Sequence, residues 1–169
     1  VADAATGLTR ECTYVDDENG TREERHERYG EGEVWSHHRL PGGERELRVA
    51  APPGTRDPLT VLLLLRAQPL GTGDVHVVPI YSRDAVHVGT VRVVGRVQEK
   101  DPGGRARPAI HLRATFTRGG APSPVSADIF LSDDEERLPL RVVARTRYGQ
   151  LAGVLTQASR RADPQLGPP

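Results

Sequence analysis

The chain has 169 residues, of which 36% are hydrophobic and 27% charged, a composition that argues for one globular domain with one core and against disorder. Lys+Arg and Asp+Glu both total 23, for a formal net charge of zero, which argues against a general nucleic-acid or anionic-membrane binder. The longest apolar run, Val61–Leu65, is far short of the ~20 residues that a membrane-spanning helix needs.

The first fifty residues predict four weak strands, Arg10–Val15, Arg22–Tyr29, Glu33–Leu40 and Arg45–Ala50. Asn19-Gly20 and Pro41-Gly42-Gly43 supply turns between them. Arg22–Arg28 is almost entirely charged and reads as a solvated face or an edge that charge protects from aggregation. One helix follows over 57–67. Asp57 suits its N-cap and Pro58 its first position, and Pro69 and Gly71 end it. Its body, Leu-Thr-Val-Leu-Leu-Leu-Leu-Arg, is apolar nearly all round. That pattern predicts burial of Leu62, Leu63 and Leu65.

Beyond the helix the period is two. Val75–Tyr81 and Val86–Val94 alternate around Ser82-Arg-Asp-Ala85, which reads as a hairpin. A turn centred on Arg83-Asp84 sets His76 opposite Val91 and His87 opposite Ile80. Ile110–Thr117, Val125–Leu131, Leu138–Thr146 and Gln150–Thr156 complete the strands. Turn residues separate them at Asp101–Gly104, Gly119–Pro124 and Ser132–Glu136. The expected fold is mainly β. It is an antiparallel meander forming a strongly curved sheet or partial barrel around the one buried helix. Residues 1–157 read as one β-rich domain and 158–169 as a loose polar tail.

Of the 23 basic residues all but Lys100 are Arg, and Met is absent. The plain reading is a GC-rich bacterial genome; the functional one is anion recognition by Arg. Residues 1–33 hold ten acids and four Arg, whereas 137–169 hold six Arg and one acid. Such a split suits the pairing of two ends of one sheet. Cys12 is the single cysteine and cannot form an internal disulfide.

Two stretches resemble a family of bacterial exported proteins catalogued as domain of unknown function 3108. One is Asp57-Pro-Leu-Thr60 running to Leu64-Leu-Arg66. The other is Ile129-Phe-Leu-Ser-Asp-Asp-Glu-Glu-Arg-Leu-Pro-Leu-Arg141. Gly149 and the apolar strand after it fit the family's C-terminal end. Thr60 stands where the family more often has Ser, and Phe130 where it often has Trp. The resemblance implies an envelope or periplasmic β-rich protein that carries further strands before Val1. A sheet edge left uncovered by this chain would then recruit a second copy or another polypeptide. The lipoprotein-carrier folds, where a curved sheet covers a hydrophobic cavity, suggest a hydrophobic ligand by analogy of fold.

Catalytic signals are weak. His37 and His38 are adjacent and point to opposite faces of a strand, and no His-x-His or Cys-x-x-Cys spacing occurs, so no metal site is expected. Asp128, Asp133, Asp134, Glu135 and Glu136 form the densest acidic group. Paired carboxylates there could act as acid and base, but Ser-Asp-Asp-Glu-Glu between strands reads first as a solvated turn. No nucleophile elbow or phosphate-cradling loop is present. Arg66, ending an apolar helix, is expected to be buried against a carboxylate. Asp57, Pro58, Arg66, Asp133, Asp134 and Pro139 are therefore read as structural motif residues. No catalytic residue or cofactor is assigned. The leading reading is a non-enzymatic envelope binding or scaffolding module with a groove between sheet and helix. A structural subunit of an envelope assembly, or a hydrolase using Asp133 or Asp134, are the alternatives.

Overall fold

The computed structural model describes residues 8–18, 21–101 and 103–156. Ten strands and one helix are present among them. The first four strands are β1 (Glu11–Glu18), β2 (Thr21–Tyr29), β3 (Glu33–Leu40) and β4 (Gly43–Ala50). Helix α1 (Pro58–Ala67) follows, then β5 (Val75–Ser82), β6 (Ala85–Lys100) and β7 (Ala106–Arg118). The last strands are β8 (Ala121–Ser132), β9 (Pro139–Thr146) and β10 (Gly149–Val154). The expected Asn19-Gly20 turn and the tail over 158–169 lie outside the described residues.

Among the described residues the strands form two antiparallel meanders, β1-β2-β3-β4 and β10-β9-β8-β7-β6-β5, and no closed barrel. This corrects the expectation of one continuous sheet. Residues 51–74, with α1 among them, carry the chain away from β4 before β5 begins, so those strands never pair. The free side of β5 meets residue 56 instead. Arg56 donates its N–H to the Pro79 carbonyl at 3.1 Å and accepts from Tyr81 N–H at 2.9 Å.

Within the second sheet the hairpin register is as the alternation predicts, with His76 opposite Val91 and Ile80 opposite His87. Arg83 and Asp84 have φ of 50° and 62°, the doubly left-handed pair that a two-residue hairpin turn requires. Strand β6 outruns its predicted end at Val94. A bulge between Val93 and Gly95 lets it continue beside β7 to Lys100. The polar stretch Gln98-Glu99-Lys100 gave no apolar alternation by which to see this.

Each face of the six-stranded sheet has its own cover. Val78, Ile80, Val91, Val93, Leu112 and Leu131 pack with Val61 and Leu65 of α1 in the main core. Gly89 is buried here, and a Cβ on it would lie 2.7 Å from Ile80 Cδ1, so only glycine lets Ile80 lie across β6. On the opposite face, Tyr81 packs with Val34 and Ala51, and Tyr29, Val49 and Val86 surround them. The four-stranded sheet thus covers only the hairpin end of that face.

The helix is not buried all round. Leu65 is fully buried, whereas Leu59 and Leu63 are 62% and 50% exposed. At 3.6 residues per turn, Val61 and Leu65 share the core stripe and Leu59 and Leu63 the opposite one. The even run of leucines concealed this one-sidedness. Among the described residues Glu24, Glu33, Arg141 and Arg145, from the two charged ends, pair with partners other than each other. Acids near the start meet local bases (Glu24 with Arg22 and Arg39, Glu33 with Arg48), while Arg141 and Arg145 meet Glu99 and Asp128.

Candidate functional site

The two family-like stretches, seventy residues apart, meet in one junction. At the start of α1, Asp57 Oδ1 accepts from the N–H groups of Leu59 at 2.8 Å and Thr60 at 3.1 Å. Its Oδ2 accepts from the hydroxyls of Thr9 and Thr60. Pro58 occupies the first helical position, where no N–H is needed. At the other end, Arg66 donates from Nε and a terminal nitrogen to the Glu136 carbonyl, at 3.2 and 2.8 Å. Arg137 returns the contact, donating to the carbonyls of Arg66 and Gln68. This corrects the expectation that Arg66 meets a carboxylate. Its partner is a backbone oxygen of the acidic turn, and the helix's last carbonyls are met by the turn's arginine.

The turn is held in shape from within. Asp134 Oδ1 accepts from the Ser132 hydroxyl at 2.7 Å and from the N–H groups of Glu136 and Arg137 at 3.1 and 3.0 Å. Its Oδ2 accepts from Arg107 at 2.6 Å. Burial pushes this carboxyl up, but those hydrogen bonds and Arg107 outweigh it and hold it below the usual range. Ser132 in turn accepts the Leu138 N–H at 2.8 Å, and Pro139 opens β9. Among the described residues the Asp133 side chain makes only a long contact with Arg96, at 3.4 Å. Arg137→Ala is therefore expected to cost about 2 kcal/mol, the scale of charge-assisted bonds left unmade. Asp133→Asn, at the surface, should change stability by less than about 0.5 kcal/mol. Urea unfolding of the two variants checks the contrast.

A second polar cluster is enclosed between the sheets. Glu27 is fully buried and accepts from the Tyr29 hydroxyl at 2.6 Å. Burial raises its carboxyl above the usual range, only partly offset by Tyr29 and Arg25. His38 Nε2 lies 2.8 Å from Ser36 Oγ and 3.0 Å from Asp84 Oδ1. Burial also raises the Cys12 thiol, which makes it a poor nucleophile. His37 lies on the other side of β3, stacked on Trp35. Among the described residues no group of three or more His, Cys, Asp or Glu is placed to hold a metal ion.

The third place is the face of the six-stranded sheet that α1 does not cover. The pairing register lays its side chains out in rows across the strands. One row runs Val75, Arg92, Arg113, Asp128, Val143. The next runs Val77, Thr90, Thr115, Ser126, Arg145. Asp128 is buried among the bases. It accepts from His111 Nε2 at 2.7 Å, from Arg113 Nε at 3.0 Å and from Arg145. Burial pushes its carboxyl up, and the bonds from Arg145, His111 and Arg113 overcome this and hold it far below its ordinary value. His111 stacks on Phe130 at 4.7 Å, and Arg141 lies 4.4 Å above the same ring while pairing with Glu99.

Beside this network lies a groove of about 480 Å³, lined chiefly by Thr72, Thr90, Arg92, Val94, Arg113 and Thr115. Of the groups that make this face, Asp128 and Phe130 stand out in the sequence, Asp128 as part of the acidic group and Phe130 as a position of the family-like stretch. The structure divides the acidic group: Asp128 faces Arg113 and Arg145, while Asp133 and Asp134 belong to the helix junction. Arg92 and Arg113 give no local signal, because only the register of β6 on β7 brings them together.

Over residues 1–156 the chain matches the model of the family described as protein of unknown function (DUF3108). No curated protein and no solved structure matches it.

Proposed function

The chain belongs to the DUF3108 family, and we propose that it is a non-enzymatic binding module whose ligand rests on the face of the six-stranded sheet opposite α1, beyond the end that the four-stranded sheet covers. The observation that carries this reading is the character of that face. Val75, Val77 and Val88 are exposed side by side on β5 and β6, Val77 at 64%, next to the groove of about 480 Å³. Contiguous exposed apolar surface rimmed by polar groups is what ligand and partner sites present. The space between α1 and the sheet, where the sequence suggested a groove, is filled by Val61, Leu65 and their neighbours. A place in the periplasm or cell envelope is supported by the resemblance to exported proteins.

One observation favours a second reading, a structural subunit of an envelope assembly. Among the described residues strand β10 has a neighbour on one side only, and Leu151 and Val154 are exposed along it. Such an edge is a template for another strand, from a partner or a second copy. The hydrolase reading gains little from the geometry: Asp134 is engaged by the turn through one oxygen and by Arg107 through the other, and Asp133 lies 3.4 Å from Arg96.

Native mass spectrometry of the gently purified chain separates these readings. A binding module is expected to carry a small apolar or amphiphilic molecule through purification. A stoichiometric protein partner, with no small molecule, would favour the subunit.

A further inference from the structure

The open face carries an electrostatic peculiarity. Arg92 and Arg113 are direct cross-strand partners on β6 and β7, which places their Cα atoms about 5 Å apart. Like charges directly opposite each other destabilise a sheet. Arg113 is partly compensated, through its Nε on Asp128 at 3.0 Å. Asp128, however, is shared with His111 and Arg145. Arg92 makes no ion pair or side-chain hydrogen bond among the described residues. The register gives this face Arg92, Arg107, Arg113, Arg141 and Arg145 against Glu99 and Asp128, with Asp134 reaching Arg107 from the turn. In a chain of zero net charge, this face carries five arginines against three carboxylates, and two of the arginines, Arg92 and Arg113, line the groove.

The same register sets Thr90 and Thr115 opposite each other, two residues along. Two guanidinium groups and two hydroxyls thus form a four-cornered tile that lines the groove. Guanidinium forks and hydroxyls are the donors that bind phosphate oxygens. On the β5 side the tile borders Val75, opposite Arg92, and Val77, opposite Thr90. Cations and hydroxyls at one end with exposed valines at the other match an anionic head joined to an apolar chain.

We propose that the Arg92–Arg113 tile binds the phosphate group of an anionic amphiphile whose apolar chain lies over Val75 and Val77. This rests on the binding-module reading and names its ligand class. The anion would relieve the repulsion between the two arginines, so that the unfavourable pair in the free protein becomes binding energy in the complex.

Isothermal titration of the full chain with octyl phosphate, octyl glucoside and inorganic phosphate tests this, each detergent below its micelle concentration. Octyl phosphate is expected to bind at least about tenfold tighter than either of the others, since only it offers both head and chain. Arg92→Gln should weaken octyl phosphate about tenfold or more, the loss of one charge-assisted contact. The free variant should melt no lower than the parent, because the substitution removes a repulsion. Val77→Ser should weaken octyl phosphate and leave inorganic phosphate unchanged. Equal binding of octyl phosphate and octyl glucoside would overturn the anion site while leaving the binding-module reading intact. Binding unaffected by Arg92→Gln would overturn it as well. If inorganic phosphate binds as tightly as octyl phosphate, the tile is a free-phosphate site and the amphiphile is wrong.

Discussion

Leu65→Ala is expected to destabilise the protein by about 3–5 kcal/mol, whereas Leu63→Ala should cost less than about 1 kcal/mol. Leu65 is fully buried between α1 and the sheet, and its truncation leaves a cavity among Val78, Val91, Leu112 and Leu131. Leu63 is 50% exposed on the outer stripe of the same helix. The two residues have the same chemistry and lie two positions apart, so the contrast isolates burial. Chemical denaturation of both variants, with unchanged slope, gives the difference directly. Equal losses would mean that the helix is enclosed on both sides.

Asp128→Asn is expected to cost about 2 kcal/mol at neutral pH. Removing one partner of a buried ion pair typically costs about 3–5 kcal/mol. Here Arg113 and Arg145 are about half exposed, and water relieves part of the loss. The acid limb of the stability curve should change as well. The folded carboxyl titrates below its ordinary value, so between the two pKa values the unfolded chain binds a proton that the folded chain does not. The contribution is complete above about pH 5 and is lost as pH falls through about 4 and below. Asp128→Asn should flatten that fall. Some of it will survive, because Asp134 is depressed in the same direction. Thermal melts from pH 7 to 3 measure both effects.

Local signals in the sequence were enough for the elements. Turn residues and alternation marked every strand, and Asp57-Pro58 marked the helix start because caps depend on side chains next to the backbone they satisfy. What escaped is what depends on distant partners. The division into two sheets turns on whether β4 pairs with β5, which neither strand encodes alone. Which face of α1 is buried could not be read from Leu62-Leu63-Leu64-Leu65, where every position is apolar. Arg66 was read as a motif residue and assigned the wrong kind of partner, because backbone carbonyls leave no mark in a sequence. The site was the least legible part. Arg92, Arg113 and Arg145 belong to three strands, and in a chain with so many arginines no single one attracts notice. Only the strand register makes them neighbours.

Helix α1 closes one face of the six-stranded sheet, and the ligand is proposed to rest on the other. Amide NMR of the full chain during titration with octyl phosphate tests it residue by residue. Shifts are expected to gather at Thr90, Arg92, Arg113 and Thr115, with α1 unmoved. Shifts gathered instead at Leu59 and Leu63 of the helix, with the open face silent, would contradict it.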